Sequence, residues 1–221
     1  HLLEAVEQGL VTEAEIDVCV RRLMRARVLL GMFDPPGRSR HAAIPYEVND
    51  CDAHREIARA AARDSIVLLR NRDGLLPLRR DLASLAVIGP NAHDPGALLG
   101  NYHGTPSRSV TPLDAIRAAV SPATRVWYTP GCRPLGTETD GVDRDGDPTE
   151  ARSLIERADA VVLCLGLSAD IEGEQGDASN SEAAGDKLDL GLPGLQHRLL
   201  ELAVELGKPT VLVLISGSAV C

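Results

Sequence analysis

The first clear pattern of apolar and polar positions lies near the start of the chain. Over residues 12–30 the apolar side chains recur three or four positions apart, the spacing of one face of an α-helix; they are Ile16, Val20, Leu23, Met24 and Val28. Thr12 and Glu15 match a capping box, and Gly31 follows as a stop signal. This segment is therefore predicted to be an amphipathic helix.

An irregular segment follows this helix. Asp34-Pro35-Pro36-Gly37 begins a stretch, ending near residue 52, in which no apolar period is sustained. We predict an interdomain linker over residues 34–52. It separates an N-terminal part, residues 1–33, from a main domain, residues 53–221.

Helical and strand-like segments alternate beyond the linker. Helices are predicted over residues 53–63, 112–120, 149–157 and 193–206, and strands over residues 65–70, 85–89, 125–129, 160–166 and 210–215. The later strands are apolar throughout, as parallel strands buried on both faces are. We therefore predict an α/β fold, a doubly wound and mostly parallel sheet with helices on both faces.

Ligands on such a sheet approach the loops at the carboxyl ends of the strands. The loops that qualify are residues 89–109, 130–148, 167–192 and 216–218. Loops much longer than about 2–6 residues in a compact domain are often functional. The chemistry of this protein is therefore expected in the long loops at this edge.

Composition narrows the class of protein. The formal net charge of −9 on 221 residues would repel nucleic acid over most of the surface. The longest apolar runs are strand-sized, well short of the roughly 20 residues that cross a bilayer. The five cysteines lack C-x-x-C spacing, and the histidines lack ligand spacing. We expect no nucleic acid, membrane, metal or cofactor among the partners.

Three carboxylates lie within six residues of the loop that follows the strand over residues 160–166: Glu172, Glu174 and Asp177. Crowded carboxylates raise one another's pKa, so that one can stay protonated near neutral pH and serve as a general acid. A solvated acidic loop has the same composition. From the residues alone, both interpretations stay open.

A series of motifs, spread over nearly the whole chain and occurring in the family's order, resembles glycoside hydrolase family 3. They are HREIARAAARDSIVLLRNRDGLLPL (54–78), LAVIGPNA (85–92), LLGNYHGTPSRSVTPLDAIR (98–117), YTPGC (128–132), VVLCLGLSADIEGEQGD (161–177), LDLGLPGLQ (188–196) and GKPTVLVLISGSAV (207–220). Together they resemble the second, α/β-sandwich domain of that family. The resemblance implies a retaining β-glucosidase or β-xylosidase acting on terminal sugars of oligosaccharides.

The N-terminal part resembles the last helix of the family's (β/α)8 barrel and the exit into its linker. The resemblance implies that residues 1–33 end the barrel domain and that both ends of this chain are cut. The aspartate nucleophile of such enzymes comes from a Ser-Asp-Trp-like motif of the barrel, which this chain lacks. We expect the fragment alone to be inactive and to require the rest of the barrel as its partner.

The resemblance implies that the acid/base glutamate lies in an E-x-x-D segment, and Glu174-Gln175-Gly176-Asp177 matches it best. Glu174 is therefore the predicted acid/base residue. Glu172 is the second choice, because Ala178 follows where the family has arginine and residues 179–185 form an extra stretch. Retaining glycosidases place two such carboxyl groups about 5 Å apart, so a loop reaching over a neighbouring barrel can supply one of them.

The segment GNYHGTP resembles a stretch common in xylosidase-like members, which implies a sugar-binding role for Asn101, Tyr102 and His103. A simple turn explains these residues equally well. The acidic loop over residues 140–147 lacks the glycine spacing and final glutamate of an EF-hand. A non-catalytic sugar-binding or scaffold α/β domain is the alternative function, although only five aromatic residues offer sugar stacking.

Overall fold

The computed structural model describes residues 1–35, 37–38, 41–100, 103–134, 148–172, 187 and 189–221. The chain forms two compact units, His1–Val67 and Leu68–Cys221. The predicted boundaries at residues 33 and 52 concern domains of a longer protein and stay a prediction.

The first unit is helical, with α1 (Leu2–Glu7), α2 (Glu13–Leu29) and α3 (Asp52–Ser65). The predicted amphipathic helix is α2, and it begins with the expected capping box. The Glu15 amide donates to Thr12 Oγ1 at 3.3 Å, and the Thr12 amide donates to Glu15 Oε2 at 2.9 Å. The apolar stripe of α2 is exposed, with Leu23 at 62% and Val28 at 61%. No described residue of this unit is fully buried.

The strand predicted over residues 65–70 is wrong. Ser65 is the last residue of α3, and residues 66–70 form neither helix nor strand. The apolar run Ile66, Val67, Leu68 and Leu69 suggested a strand, yet each side chain is 64% or more exposed. A strand needs a neighbour to accept its ladder hydrogen bonds, and within the described residues none pairs with this segment.

The second unit is built on four parallel strands, β1 (Ser84–Ile88), β2 (Arg125–Thr129), β3 (Ala160–Gly166) and β4 (Thr210–Ile215). Their order in the sheet is β2-β1-β3-β4. The central strands β1 and β3 are buried along their whole length. Parallel central strands with both faces covered confirm the predicted sheet.

Two hydrophobic clusters cover the two faces of this sheet. On one face, alternate residues of β1 and β3 pack against α5 (Pro148–Arg157) and α6 (Gln196–Glu205); the central side chains are Ile88, Ile155, Leu163, Leu165 and Leu199. On the other face, the intervening residues pack against Leu113 of α4 (Pro112–Ala119). Helices on both faces confirm the α/β sandwich.

The strand β4 lies at an edge of the described sheet and is less buried than its sequence suggests. Leu212 is 41% exposed and Leu214 is 38% exposed, whereas β3 beside it is buried throughout. An apolar run therefore marks β4 as a strand but not its place in the sheet. Among the helices described, none is long and apolar enough to cross a membrane.

A capping box also begins α4. Thr111 is buried, and its hydroxyl donates to Asp114 Oδ2 at 2.6 Å while the Asp114 amide donates back at 3.3 Å. The hydroxyl proton is thus used, so His93 Nδ1, 3.1 Å away, is the donor in its bond to Thr111 Oγ1. The Thr111 hydrogen bond holds the pKa of Asp114 below its usual value.

Candidate active site

Two glycines end the two central strands at the carboxyl edge of the sheet. Gly89 follows β1 with φ +127°, and Gly166 ends β3 with φ +130°. A Cβ on Gly89 would lie 2.1 Å from the Cys164 carbonyl oxygen, and one on Gly166 would lie 1.8 Å from the Ile215 carbonyl oxygen. Only glycine fits either position, so the loops that leave β1 and β3 begin at fixed points.

The loop after β1 turns at once and stays close to the sheet. Residues Pro90–Ala92 form a buried 3-10 turn, with Asn91 only 2% exposed. Asp94 Oδ1 accepts a hydrogen bond from the Gly96 amide at 2.8 Å. Asp170 Oδ2, from the loop after β3, lies 3.6 Å from the position that a Cβ on Gly96 would take. The first parts of these two loops therefore lie side by side.

The loop after β3 begins with a tight turn that orients Glu172. The amides of Ile171 and Glu172 donate to the Ser168 carbonyl at 3.1 and 3.0 Å, and the Ile171 side chain is buried. Glu172 is half-buried, and its Oε2 lies 3.4 Å from the position that a Cβ on Gly217 would take. The Glu172 carboxylate thus lies against the turn that follows β4.

The returning end of the same loop binds that turn as well. Lys187 Nζ donates to the Ala219 carbonyl at 2.7 Å and to Ser218 Oγ at 3.4 Å. The turn is itself held by Ser216, whose hydroxyl donates to the Ser218 carbonyl at 2.6 Å. One carboxylate and one ammonium group, from opposite ends of the loop, therefore meet the turn after β4.

The other predicted site residues are only partly placed. Glu174, the predicted acid/base residue, and Asp177 lie outside the described residues, as do Asn101 and Tyr102. His103 is exposed, and its Nδ1 donates to the carbonyl of its neighbour Gly104 at 2.7 Å. Its proposed contact with a sugar stays a prediction.

Metal ligands were not expected from the sequence. In the portions of the chain that the structure covers, no cluster of three or more side chains could hold a metal ion. The acidic segment over residues 140–147 lies outside those portions.

A tyrosine near this edge keeps its proton. Burial, and secondarily the negative charge of Asp94, raise the pKa of Tyr128. Its ring meets that of His93 edge to face, with the ring centroids 5.7 Å apart. Tyr128 can therefore donate a hydrogen bond over the whole neutral range.

The buried thiols have no nucleophilic role at neutral pH. Burial raises the pKa of Cys132 and of Cys164 to about 12. The reactive form of cysteine is the thiolate, so neither of these two thiols is available as a nucleophile at neutral pH.

Sequence reasoning did not single out Gln196, a fully buried residue at the start of α6. Its amide group binds Gly166 at the end of β3. Its only sequence signal was a lone amide residue in an otherwise apolar stretch, LGLPGLQ.

Comparison with known proteins matches most of this chain to one protein family. Residues 66–221 match the family model of the glycosyl hydrolase family 3 C-terminal domain. The chain is 40% identical to a probable β-D-xylosidase 7 of Arabidopsis thaliana over 225 residues, covering 100% of this chain and 27% of that protein. It is 36% identical over 209 residues to a β-xylosidase of Formosa agariphila, covering 91% of this chain and 27% of that one.

Solved structures of a β-xylosidase and a β-glucosidase resemble this chain in fold. A family 3 exo-β-xylosidase in complex with a xylobiose aziridine probe superposes with a TM-score of 0.76 at 33% identity, over 96% of this chain and 25% of that one. A β-glucosidase of Erythrobacter marinus gives a TM-score of 0.73 at 32% identity, over 96% and 30% of the two chains. The chain spans about a quarter of the length of the curated relatives it matches.

Proposed function

The chain belongs to glycoside hydrolase family 3, and from this membership we propose that it is part of a retaining, exo-acting β-glycosidase. The proposed substrates are oligosaccharides with terminal β-D-xylosyl or β-D-glucosyl residues. The named β-xylosidases among the relatives support xylose as the first sugar to test. The β-glucosidase neighbour supports glucose as the second.

The proposed contribution of this chain is the general acid/base, with Glu174 as the residue and Glu172 as the second choice. The observation that carries the proposal is the loop after β3. It leaves the carboxyl edge at a fixed glycine, and its returning end is held by Lys187 on the turn after β4. The described parts of this loop, the Glu172 carboxylate among them, are therefore held at the carboxyl edge, and acid catalysis requires a positioned carboxyl group.

The rest of the site is proposed to come from a barrel domain of the same protein. In this proposal residues 1–33 end that barrel, residues 34–52 connect it, and residues 53–221 form the second domain. A retaining mechanism needs a nucleophile about 5 Å from the acid/base. The barrel aspartate would attack the anomeric carbon while the glutamic acid protonates the departing oxygen. The resulting carboxylate would then take a proton from the water that releases the sugar.

The test compares Glu174→Ala and Glu172→Ala in the full-length protein, with Glu156→Ala on α5 as a matched surface control. Each variant is assayed on xylobiose, cellobiose and 2,4-dinitrophenyl β-xyloside, with and without azide. Loss of the acid should lower kcat/KM on xylobiose by about 10²–10⁴-fold. The dinitrophenyl substrate should be affected far less, since its leaving group needs no proton.

Azide supplies the second half of the test. It attacks the sugar–enzyme intermediate at the anomeric carbon without needing a base, so a β-xylosyl azide should form and turnover should rise for the acid/base variant. If Glu174→Ala behaves like Glu156→Ala, the role moves to Glu172. If all three variants behave like wild type, the acid/base does not lie in this loop. Turnover by the isolated 221 residues would refute the proposed division of the active site.

A further inference from the structure

The side chain of Gln196 is fully buried, although it carries a polar amide. Burying an amide is costly unless its donors and acceptor are bonded. Its Oε1 accepts from the Gly166 amide at 2.7 Å, and its Nε2 donates to the Gly166 carbonyl at 2.9 Å and to the Pro134 carbonyl at 3.3 Å. The Gln196 amide group therefore forms hydrogen bonds through both its oxygen and its nitrogen, and two of these three bonds are to Gly166.

The position of Gly166 in the sheet explains why it needs this partner. The amides of Val161 and Leu167 donate toward β4, to Pro209 and Ile215. Backbone groups of successive strand residues point to opposite sides, so those of Gly166 point away from β4, toward the side of β1. There β1 pairs with β3 only as far as Leu163. Gln196 thus supplies the hydrogen bonds that a longer neighbouring strand would have made.

This contact lies where the loop after β3 begins. Gly166 is the last residue of β3, and the proposed acid/base Glu174 follows eight residues later. On the β4 side, the Leu167 amide donates to the Ile215 carbonyl at 2.8 Å. Gln196 and β4 therefore hold the start of the loop from both sides. The Pro134 carbonyl also connects Gln196 to the loop after β2.

We propose that Gln196 is a positioning residue for the acid/base glutamate. It fixes the direction in which the loop after β3 leaves the sheet, and through it the reach of the carboxyl group to the leaving-group oxygen. The inference rests on the proposed function of that loop. Gln196 does not itself contact the substrate in this proposal. Displacement of a catalytic group by about 1 Å can cost about 10²-fold in rate, so loss of this contact should affect catalysis beyond any effect on folding.

The test uses Gln196→Met in the full-length protein, because methionine has a similar length and cannot make the three hydrogen bonds. Leu202→Ala is the control, since Leu202 is buried on the same helix and its apolar side chain can form no hydrogen bond with Gly166. The measured quantity is the ratio of kcat/KM for xylobiose to kcat/KM for 2,4-dinitrophenyl β-xyloside. Misplacement of the acid lowers this ratio, whereas a smaller folded fraction lowers both values equally and leaves the ratio unchanged.

We expect the ratio to fall about 10-fold or more for Gln196→Met, in the same direction as for Glu174→Ala, and to stay at the wild-type value for Leu202→Ala. An unchanged ratio for Gln196→Met, beside a lowered ratio for Glu174→Ala, would overturn the role of Gln196 alone. Unchanged ratios for Glu174→Ala and Glu172→Ala would overturn the proposed function. If Gln196→Met does not fold, Gln196→Asn replaces it: asparagine keeps a polar amide, but it is one methylene shorter and cannot reach both the amide and the carbonyl of Gly166, so the ratio should fall.

Discussion

Replacement of Gly166 by alanine tests how strictly the end of β3 is determined. The new Cβ would lie 1.8 Å from the Ile215 carbonyl oxygen and 2.8 Å from its carbonyl carbon. Reaching even the 3.0 Å minimum would require the two strands to separate locally by about 1.2 Å. The bond from the Leu167 amide to the Ile215 carbonyl, now 2.8 Å long, would then be lost.

The expected cost has two parts. A non-glycine residue at φ +130° costs about 1–3 kcal/mol in backbone strain, and leaving buried backbone groups unbonded costs about 1–3 kcal/mol more. We therefore expect Gly166→Ala to lower the free energy of unfolding by about 2–6 kcal/mol, a large share of the about 5–15 kcal/mol that stabilises a domain.

Gly207 provides the matched control, because it also has positive φ, +64°, but has no atom within 4 Å of an added Cβ. Gly207→Ala should cost only the about 1–2 kcal/mol of left-handed strain. The assay is urea unfolding of the 221-residue chain, followed by the fluorescence of Trp127, its single tryptophan, on β2. Equal losses for the two variants would refute the argument that contact with β4, rather than backbone strain, determines Gly166.

Three further predictions concern the cap of α4, the buried thiols and the core. Thr111→Ala should lower the free energy of unfolding by about 1 kcal/mol, and Thr111→Ser should lower it much less. The stability that this cap contributes is present above the ordinary Asp114 pKa of 3.8 and is lost as pH falls through the lowered value. The acid unfolding curves of the two variants should therefore differ. Cys132 and Cys164 should react with Ellman's reagent only after unfolding, whereas the exposed Cys19 and Cys221 should react at once. Burial raises the pKa values of Cys132 and Cys164 from 9.0 to about 12. The free energy of unfolding should therefore be at its full value below pH 9 and should fall as pH rises toward 12. Ile155→Ala should lower the free energy of unfolding by about 2–5 kcal/mol in urea, because this side chain is fully buried between α5 and the sheet, while Val204→Ala at a 70% exposed position should change it little. Rapid labelling of Cys132 and Cys164 in the native chain, or an unchanged stability of Ile155→Ala, would contradict the described packing.

The sequence was most informative where burial is continuous. The predicted bounds of β3, residues 160–166, match the structure because this apolar run has the length of one strand, begins directly after Asp159 and includes Gly166, where the strand ends. The same reasoning failed over residues 65–70, where an apolar run pairs with no strand in the part of the chain that the structure describes. An apolar run indicates that a segment tends to be buried, but it does not indicate which element buries it.

Long-range contacts account for most of what the sequence did not predict. The bonds between Gln196 and Gly166 join positions 30 residues apart, and the approach of Glu172 to Gly217 joins two different loops. No local pattern encodes either pairing. The family resemblance points to this loop, and both the acid/base role and the choice between Glu174 and Glu172 stay predictions, because the extra stretch over residues 179–185 makes the alignment with the family motif ambiguous.

The glycines that end β1 and β3 have a consequence for protein engineering. Since neither Gly89 nor Gly166 tolerates a side chain, the two points at which these loops leave the sheet are constant, whatever sequence comes after them. Segments beyond them can therefore differ in length and composition without altering the strands. A loop transplanted from a relative with another sugar preference should begin at these glycines, with Gln196 and Lys187 retained as its two attachment points.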